Sequence, residues 1–180
     1  MGGSGSGYRI SKKDTVEDCL TLDISFFVKQ GILHEFNCRS GSLQWTNSYT
    51  GEPTSSIGYE INTLDTGGPW VRLHYVITRP DGEKKAMDYK VLLETTRPHF
   101  GGSRWWFICA LTVGSKPSWR RVGKLYLPPG GSYFGCRHCY DLTYQSCQES
   151  HKFDRMYADL ADKFPGMTAK DVERMFSEDL

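Results

Sequence analysis

Three spacings of apolar residues succeed one another along the chain. Over 14–33, Leu22, Phe26 and Ile32–Leu33 lie close to a helical stripe. Thr15 and Asp18 have capping-box spacing, Thr21 can cap a second short helix, and Gly31 supplies a C-terminal stop. Phe27 and Val28 widen that stripe, as expected for a helix packed on a sheet. From His34 to Glu94 the period falls to two. The runs SLQWT, SIGYEINT, WVRLHYVIT and KKAMDYKVLLE alternate with turn clusters at Thr50–Pro53, Asp65–Pro69 and Arg79–Gly82. In WVRLHYVIT, Val71, Leu73, Tyr75 and Ile77 face one way and Arg72, His74 and Thr78 the other. Arg-Pro-Asp-Gly then turns the chain back as a hairpin. Past Cys139 the helical period returns. Asp141 can cap a helix running to Glu149, and Phe153, Met156, Tyr157, Leu160, Ala161 and Phe164 keep helical spacing. Pro165-Gly166 follows, and Thr168 with Asp171 caps a short last helix.

The expected fold class is therefore α+β: an antiparallel meander with an N-terminal helix, a small zinc-ribbon or treble-clef-like hairpin unit, and a C-terminal helical hairpin. The expected segments are a flexible 1–7, a helix-plus-sheet domain over 8–96, a basic aromatic unit over 97–147 and a helical tail over 148–180. No run of about 18 apolar residues is present, so no membrane span is expected. Six cysteines without a basic-then-apolar leader point to a reducing, cytoplasmic setting, where thiols serve metals or packing. MGGSGSG reads as a linker or expression remnant; its Gly2 and Ser6 also fit the myristoylation spacing.

Charge changes this picture. The formal net charge is +1, but the stretch from Arg97 to Cys139 holds seven Lys or Arg, eight aromatics and not one Asp or Glu. Both flanks are net negative. Positive charge threaded with aromatic rings suits phosphates and stacked bases. The expected nucleic-acid-binding residues are Arg104, Lys116, Trp119, Arg120, Arg121, Lys124 and Arg137, with Arg97 adding charge and Trp105, Trp106, Tyr126 and Tyr133 as further rings that can stack if exposed. DNA or RNA is the expected partner. The alternative is a mobile-element or phage inhibitor or adaptor that binds a host protein, for example in counter-defence.

The cysteines supply the remaining chemistry. FGGSRWWFIC ends a strand on Cys109. VGKLYL and SYFGC, joined by PPGG, read as a hairpin closed by Cys136-Arg-His-Cys139. Half-knuckle, hairpin and knuckle in that order are the parts of a zinc ribbon. Cys109, Cys136 and Cys139 supply three of the four ligands that Zn2+ takes in a closed site. Cys147, His99 and His138 are substitutes for the fourth, and Ser118 stands about where a second knuckle cysteine falls. A redox role for the Cys-x-x-Cys pair lacks the βαβ setting such pairs use. Cys19 and Cys38 read as buried small hydrophobes, and His34 and His74 as lone histidines. No Ser-His-Asp order, P-loop or His-Glu-x-x-His motif is present, and an acid-free stretch cannot by itself build a two-metal nuclease site, so no enzyme is expected.

MGGSGSG, TVEDCLTLDISFFVKQGIL, GEPTSSIGY, FGGSRWWFIC and RRVGKLYLPPGGSYFGCRHCYDLTYQS together resemble a family of uncharacterised bacterial and mobile-element proteins, with an N-terminal MGGxGSG segment and a C-terminal zinc-ribbon-like CxxC unit. The resemblance covers most of 1–150. It implies that MGGSGSG is native and that zinc-ribbon ligands map onto Cys109, Cys136 and Cys139. It also implies a cysteine just before the Arg-Arg segment, where this chain has Ser118.

Overall fold

A computed structural model describes residues 13–47, 50–79, 81–149, 154–163, 167–168, 170–171 and 174–175. The readings made for 1–7, Phe153, Phe164, Val172 and Phe176 lie outside those residues. The chain divides into two compact units, Met1–Leu142 and Thr143–Leu180.

In the first unit, a 3-10 turn at Val16–Asp18 leads into β1 (Leu20–Asp23) and α1 (Ile24–Lys29). Then come β2 (Cys38–Thr46), β3 (Pro53–Asn62), β4 (Trp70–Thr78), β5 (Lys84–Thr96) and β6 (Arg104–Cys109), two-residue strands β7 (Thr112–Val113) and β8 (Lys116–Pro117), and β9 (Arg120–Val122) and β10 (Lys124–Leu127). Six strands form one antiparallel sheet in the order β2-β3-β4-β5-β6-β9. The α+β class and the antiparallel meander hold.

The alternation read from the sequence sets which face is buried. Val71, Leu73 and Tyr75 of β4 are buried while Arg72, His74 and Val76 are exposed. Their inward neighbours are Ile57, Tyr59 and Ile61 of β3, Met87, Val91 and Leu93 of β5, and Trp105, Phe107 and Cys109 of β6. Phe27 of α1 covers this face, edge-on to Tyr59 at 5.5 Å and to Phe107 at 6.2 Å between ring centroids. Gly82, at φ +84, closes the turn between β4 and β5, as the Asp-Gly signal predicts. His74 is no orphan: its ring lies over Gly58, where an added Cβ would come within 1.8 Å of Nε2.

Three expectations need correction. The helix over 14–33 is cut short. Leu20–Asp23 pairs with β10, Leu22 opposite Leu125, and only Ile24–Lys29 is helical, capped by the Ser25 N–H bond to Asp23 Oδ1 at 2.8 Å. Leu20, Leu22 and Ile24 fit a period of two as well as a helical stripe, and the strand pairing that buries Leu22 and Leu125 decides between them. The hairpin of VGKLYL with SYFGC is reduced to one bridge, Tyr126 with Gly135. Pro128 and Pro129 have no N–H to extend a ladder past Leu127. Cys38 is exposed, because it starts an edge strand, and Cys19 is half-buried with its thiol donating to Thr15 O at 3.2 Å.

The expected division at 96/97 falls inside the sheet, since β5 pairs β6 from Leu93↔Phe107 to Thr96↔Arg104. The cysteine-bearing segment is thus built on the main core. The second unit contains α2 (Gln145–Glu149) and α3 (Asp154–Ala161). Thr168 and Asp171 form the expected capping box, with Thr168 N–H donating to Asp171 Oδ2 at 2.9 Å and Asp171 N–H to Thr168 Oγ1 at 3.3 Å. Among the described residues, no helix is long and apolar enough to cross a membrane.

Candidate metal centre

Strand β6 alternates Trp105, Phe107 and Cys109 inward, so its last residue delivers a thiol, 1% exposed, to the end of the core. The chain returns to that point after β10. The bridge at Gly135 sets Cys136 beside Cys109, and the Cys136 N–H donates to Cys109 Sγ at 3.2 Å. Gly135 lies against the Leu111 side chain, and a Cβ there would lie 2.0 Å from Leu111 Cδ1 and force that side chain to shift. A tight turn, with Cys139 N–H donating to Cys136 O at 3.0 Å, then swings Cys139 back over the pair.

The three sulfurs converge within 4.8 Å of one another. Cys139 Sγ is 3.7 Å from Cys109 Sγ and 3.3 Å from Cys136 Sγ. All three are free thiols. A zinc–sulfur bond of about 2.3 Å places tetrahedral sulfurs about 3.8 Å apart, so the cluster needs only small shifts to take such an ion. Three close cysteines able to hold a metal ion are therefore present, as the spacing predicts.

The electrostatics single out one thiol. Burial pushes Cys136 up, but the Cys139 N–H, the Cys139 and Cys109 thiols and the His138 N–H outweigh it, and the net shift is downward. Cys139 is pushed up to about 12, first by burial and then by the two neighbouring thiols. Of this pair, the shifts favour the thiolate at Cys136 over Cys139.

Ser118 occupies the open side. Its backbone N–H bonds Leu111 O at 2.8 Å, the carbonyl that the Cys139 thiol approaches at 4.0 Å. Its hydroxyl faces Cys139 and draws that thiol's pKa down, yet the contact falls short of hydrogen-bond geometry, so Ser118 Oγ is buried without a partner. Neither histidine substitute joins the cluster among the described residues. His99 is exposed before the start of β6, while Cys109 is at its far end, about 17 Å along the strand. His138 is exposed within the knuckle, and Cys147 is exposed on α2 of the second unit.

The basic residues divide. Arg121 pairs with Glu94 at 3.3 Å and Lys124 with Asp23 at 3.4 Å. Arg104 lies over the Trp106 ring at 4.2 Å, and Arg137 donates to Leu142 O at 3.4 Å. Lys116, Trp119 and Arg120 are exposed and, among the described residues, have no ion pair. They flank Ser118, and Arg120 sits opposite Cys109 in the β6–β9 register. Trp119 is 56% exposed on a left-handed backbone, φ +44. Trp105 and Tyr126 belong to the core instead and cannot stack on a base. Sequence reading missed the acids Glu94 and Asp23, because strand pairing brings them from outside the acid-free run. It also missed the tyrosines that pin the loop before Cys136: Tyr75 donates to Ser132 O at 2.7 Å, and the Phe134 N–H donates to Tyr89 Oη at 2.9 Å. A separate cleft of about 850 Å³, lined by Thr54, Ile57, His74 and Pro129 among others, includes none of the cysteines. No family model, curated protein or solved structure matches this chain.

Proposed function

We propose that the protein binds single-stranded nucleic acid through Lys116, Trp119 and Arg120, on a loop fastened by a zinc ion at Cys109, Cys136 and Cys139. The observation that carries this reading is the exposed Trp119 ring beside two basic side chains without acidic partners, on the segment that leads Ser118 into the cysteine cluster. Exposed indole is an effective base-stacking platform, and the two cations are placed to neutralise adjacent phosphates. The ion's part is structural: it closes the thiol cluster and holds the loop's shape.

Oligonucleotide binding by the zinc-loaded protein across a salt series tests the proposal. Trp119→Ala is expected to weaken single-strand binding by about 1–3 kcal/mol with little change in the salt slope. Lys116→Ala with Arg120→Ala is expected to flatten the log–log slope by about 1.4, at about 0.7 per phosphate on a single strand. Absence of binding at low salt by folded, zinc-loaded protein overturns it.

A second reading, a host-protein adaptor, has its own observation. Phe36, Leu64 and Phe100 are exposed by 82%, 56% and 98%. They lie on loops at one end of the sheet, tied by Asn37 N–H to Thr63 Oγ1 at 2.6 Å and Ser103 Oγ–H to Glu35 Oε1 at 2.5 Å. Protein binding lost in Phe36→Ser/Phe100→Ser, with oligonucleotide binding absent in the wild type, favours that reading.

A further inference from the structure

We infer that Ser118 Oγ is the fourth ligand of the metal centre, which makes it a Cys3Ser site with one weak, replaceable corner. The inference rests on the zinc reading above and deepens it. Three observations point to this atom. A hydroxyl both donates and accepts hydrogen bonds and almost always finds a partner when buried, yet Ser118 Oγ is buried with none among the described residues. It lies beside Cys139, since Ser118 N–H bonds the same Leu111 carbonyl that the Cys139 thiol approaches at 4.0 Å. Its backbone is fixed independently, by the bond to Leu111 O at 2.8 Å. The other nitrogen and sulfur donors offered by the sequence near this segment, His99 and His138, are exposed.

The chemistry of such a site differs from that of four thiolates. On binding Zn2+ the three thiols release their protons and the hydroxyl keeps its own, leaving a centre of net charge −1 rather than −2. Lys116 and Arg120 on the same segment favour that residual charge. A neutral oxygen is a poorer zinc donor than thiolate, so the ion is held less tightly and its fourth position exchanges more readily. The segment carrying Trp119 is then tethered to the core through the weakest bond of the centre.

The test measures metal binding alone. Wild type, Ser118→Ala and Ser118→Cys are stripped of metal, checked for folding by circular dichroism, and titrated with Zn2+ against a chromophoric chelator and with Co2+ by visible absorption. One ion per chain is expected for all three. Ser118→Cys should bind Zn2+ more tightly than wild type and gain thiolate-to-cobalt charge-transfer intensity. Ser118→Ala should bind at least about tenfold more weakly, the loss typical of even an outer-sphere partner, with altered Co2+ ligand-field bands. Wild-type affinity and an unchanged Co2+ spectrum in Ser118→Ala overturn the assignment, as does a Ser118→Cys variant no tighter than wild type. A folded wild type that binds neither ion overturns the zinc reading itself, and the inference with it.

Discussion

The loop from Pro128 to Cys136 is tied to the sheet at two places within five residues, by two unlike chemistries. At Ser132–Phe134 the ties are oxygen atoms. Tyr75 donates to Ser132 O, the Tyr75 and Tyr89 hydroxyls meet at 3.0 Å, and the Phe134 N–H donates to Tyr89 Oη. Since Tyr75 gives its hydrogen to a carbonyl, Tyr89 donates to Tyr75, and each hydroxyl is satisfied. At Cys136 the ties are sulfur atoms. A backbone N–H is spent on Cys109 Sγ, thiols face thiols, and the nearest hydroxyl is unpartnered. Thiols are weak donors and acceptors, so the first corner is complete in itself and the second is arranged for something that binds sulfur.

The largest expected effect comes from breaking the sulfur corner. Cys136→Ser removes one of the three clustered thiols and leaves a hydroxyl in a fully buried site. It is expected to destabilise the zinc-loaded protein by more than about 3 kcal/mol, lowering the melting temperature by about 6–12 °C for a unit of this size. A chelator should lower the melting temperature of wild type and leave the variant unchanged. Equal chelator effects on both remove the difference drawn between the corners.

The oxygen corner gives a smaller and metal-independent effect. Tyr75→Phe strands Ser132 O and the Tyr89 hydrogen at a buried position, at about 1–3 kcal/mol. Zinc affinity should be unchanged, as measured by the same chelator competition. A loss of zinc affinity would mean that the two ties act as one unit.

The two corners also differ in how far sequence exposed them. Cys109, Cys136 and Cys139 were legible because metal ligation demands a fixed residue type at a fixed spacing next to a strand end. Strands β3, β4 and β5 were legible for a related reason: a buried face imposes a period of two along them. Tyr75 and Tyr89 were legible only as core, because their hydroxyl partners lie up to 57 residues away along the chain and one is a backbone carbonyl that any residue supplies. The helix expected over 14–33 shows the same limit, since Leu20–Asp23 becomes a strand through a partner about a hundred residues downstream. Charge was misleading in the same way. The run from Arg97 to Cys139 is acid-free in sequence, but Glu94 and Asp23 reach Arg121 and Lys124 in space, so part of its positive charge is paired.

The smallest expected effect separates the corners by pH. Zinc is held by thiolates, so in zinc-loaded protein acidification is expected to let protons compete for the sulfur corner and release the ion. The tyrosines respond in the opposite direction. Burial is the first cause that raises both Tyr75 and Tyr89, and the Phe134 N–H partly lowers Tyr89. A phenol whose folded-state pKa lies above its unfolded value favours the fold fully below that unfolded value, 10.0, and loses the contribution as pH climbs through the folded value. Acid should therefore weaken the sulfur corner with the oxygen corner intact, and alkali above pH 10 should weaken the oxygen corner. Tyr140, pushed up to about 12 chiefly by burial, and Cys19, pushed up to about 11 by burial and then by Asp14, Asp18 and Glu17, add alkaline sensitivity of their own. The informative quantity is accordingly a difference. Melting temperatures of zinc-loaded wild type and Tyr75→Phe, followed from neutral pH into the alkaline range, should converge by a few degrees as wild type loses the tie the variant already lacks. Parallel curves would show that Tyr75 stays protonated and bonded until the whole fold gives way.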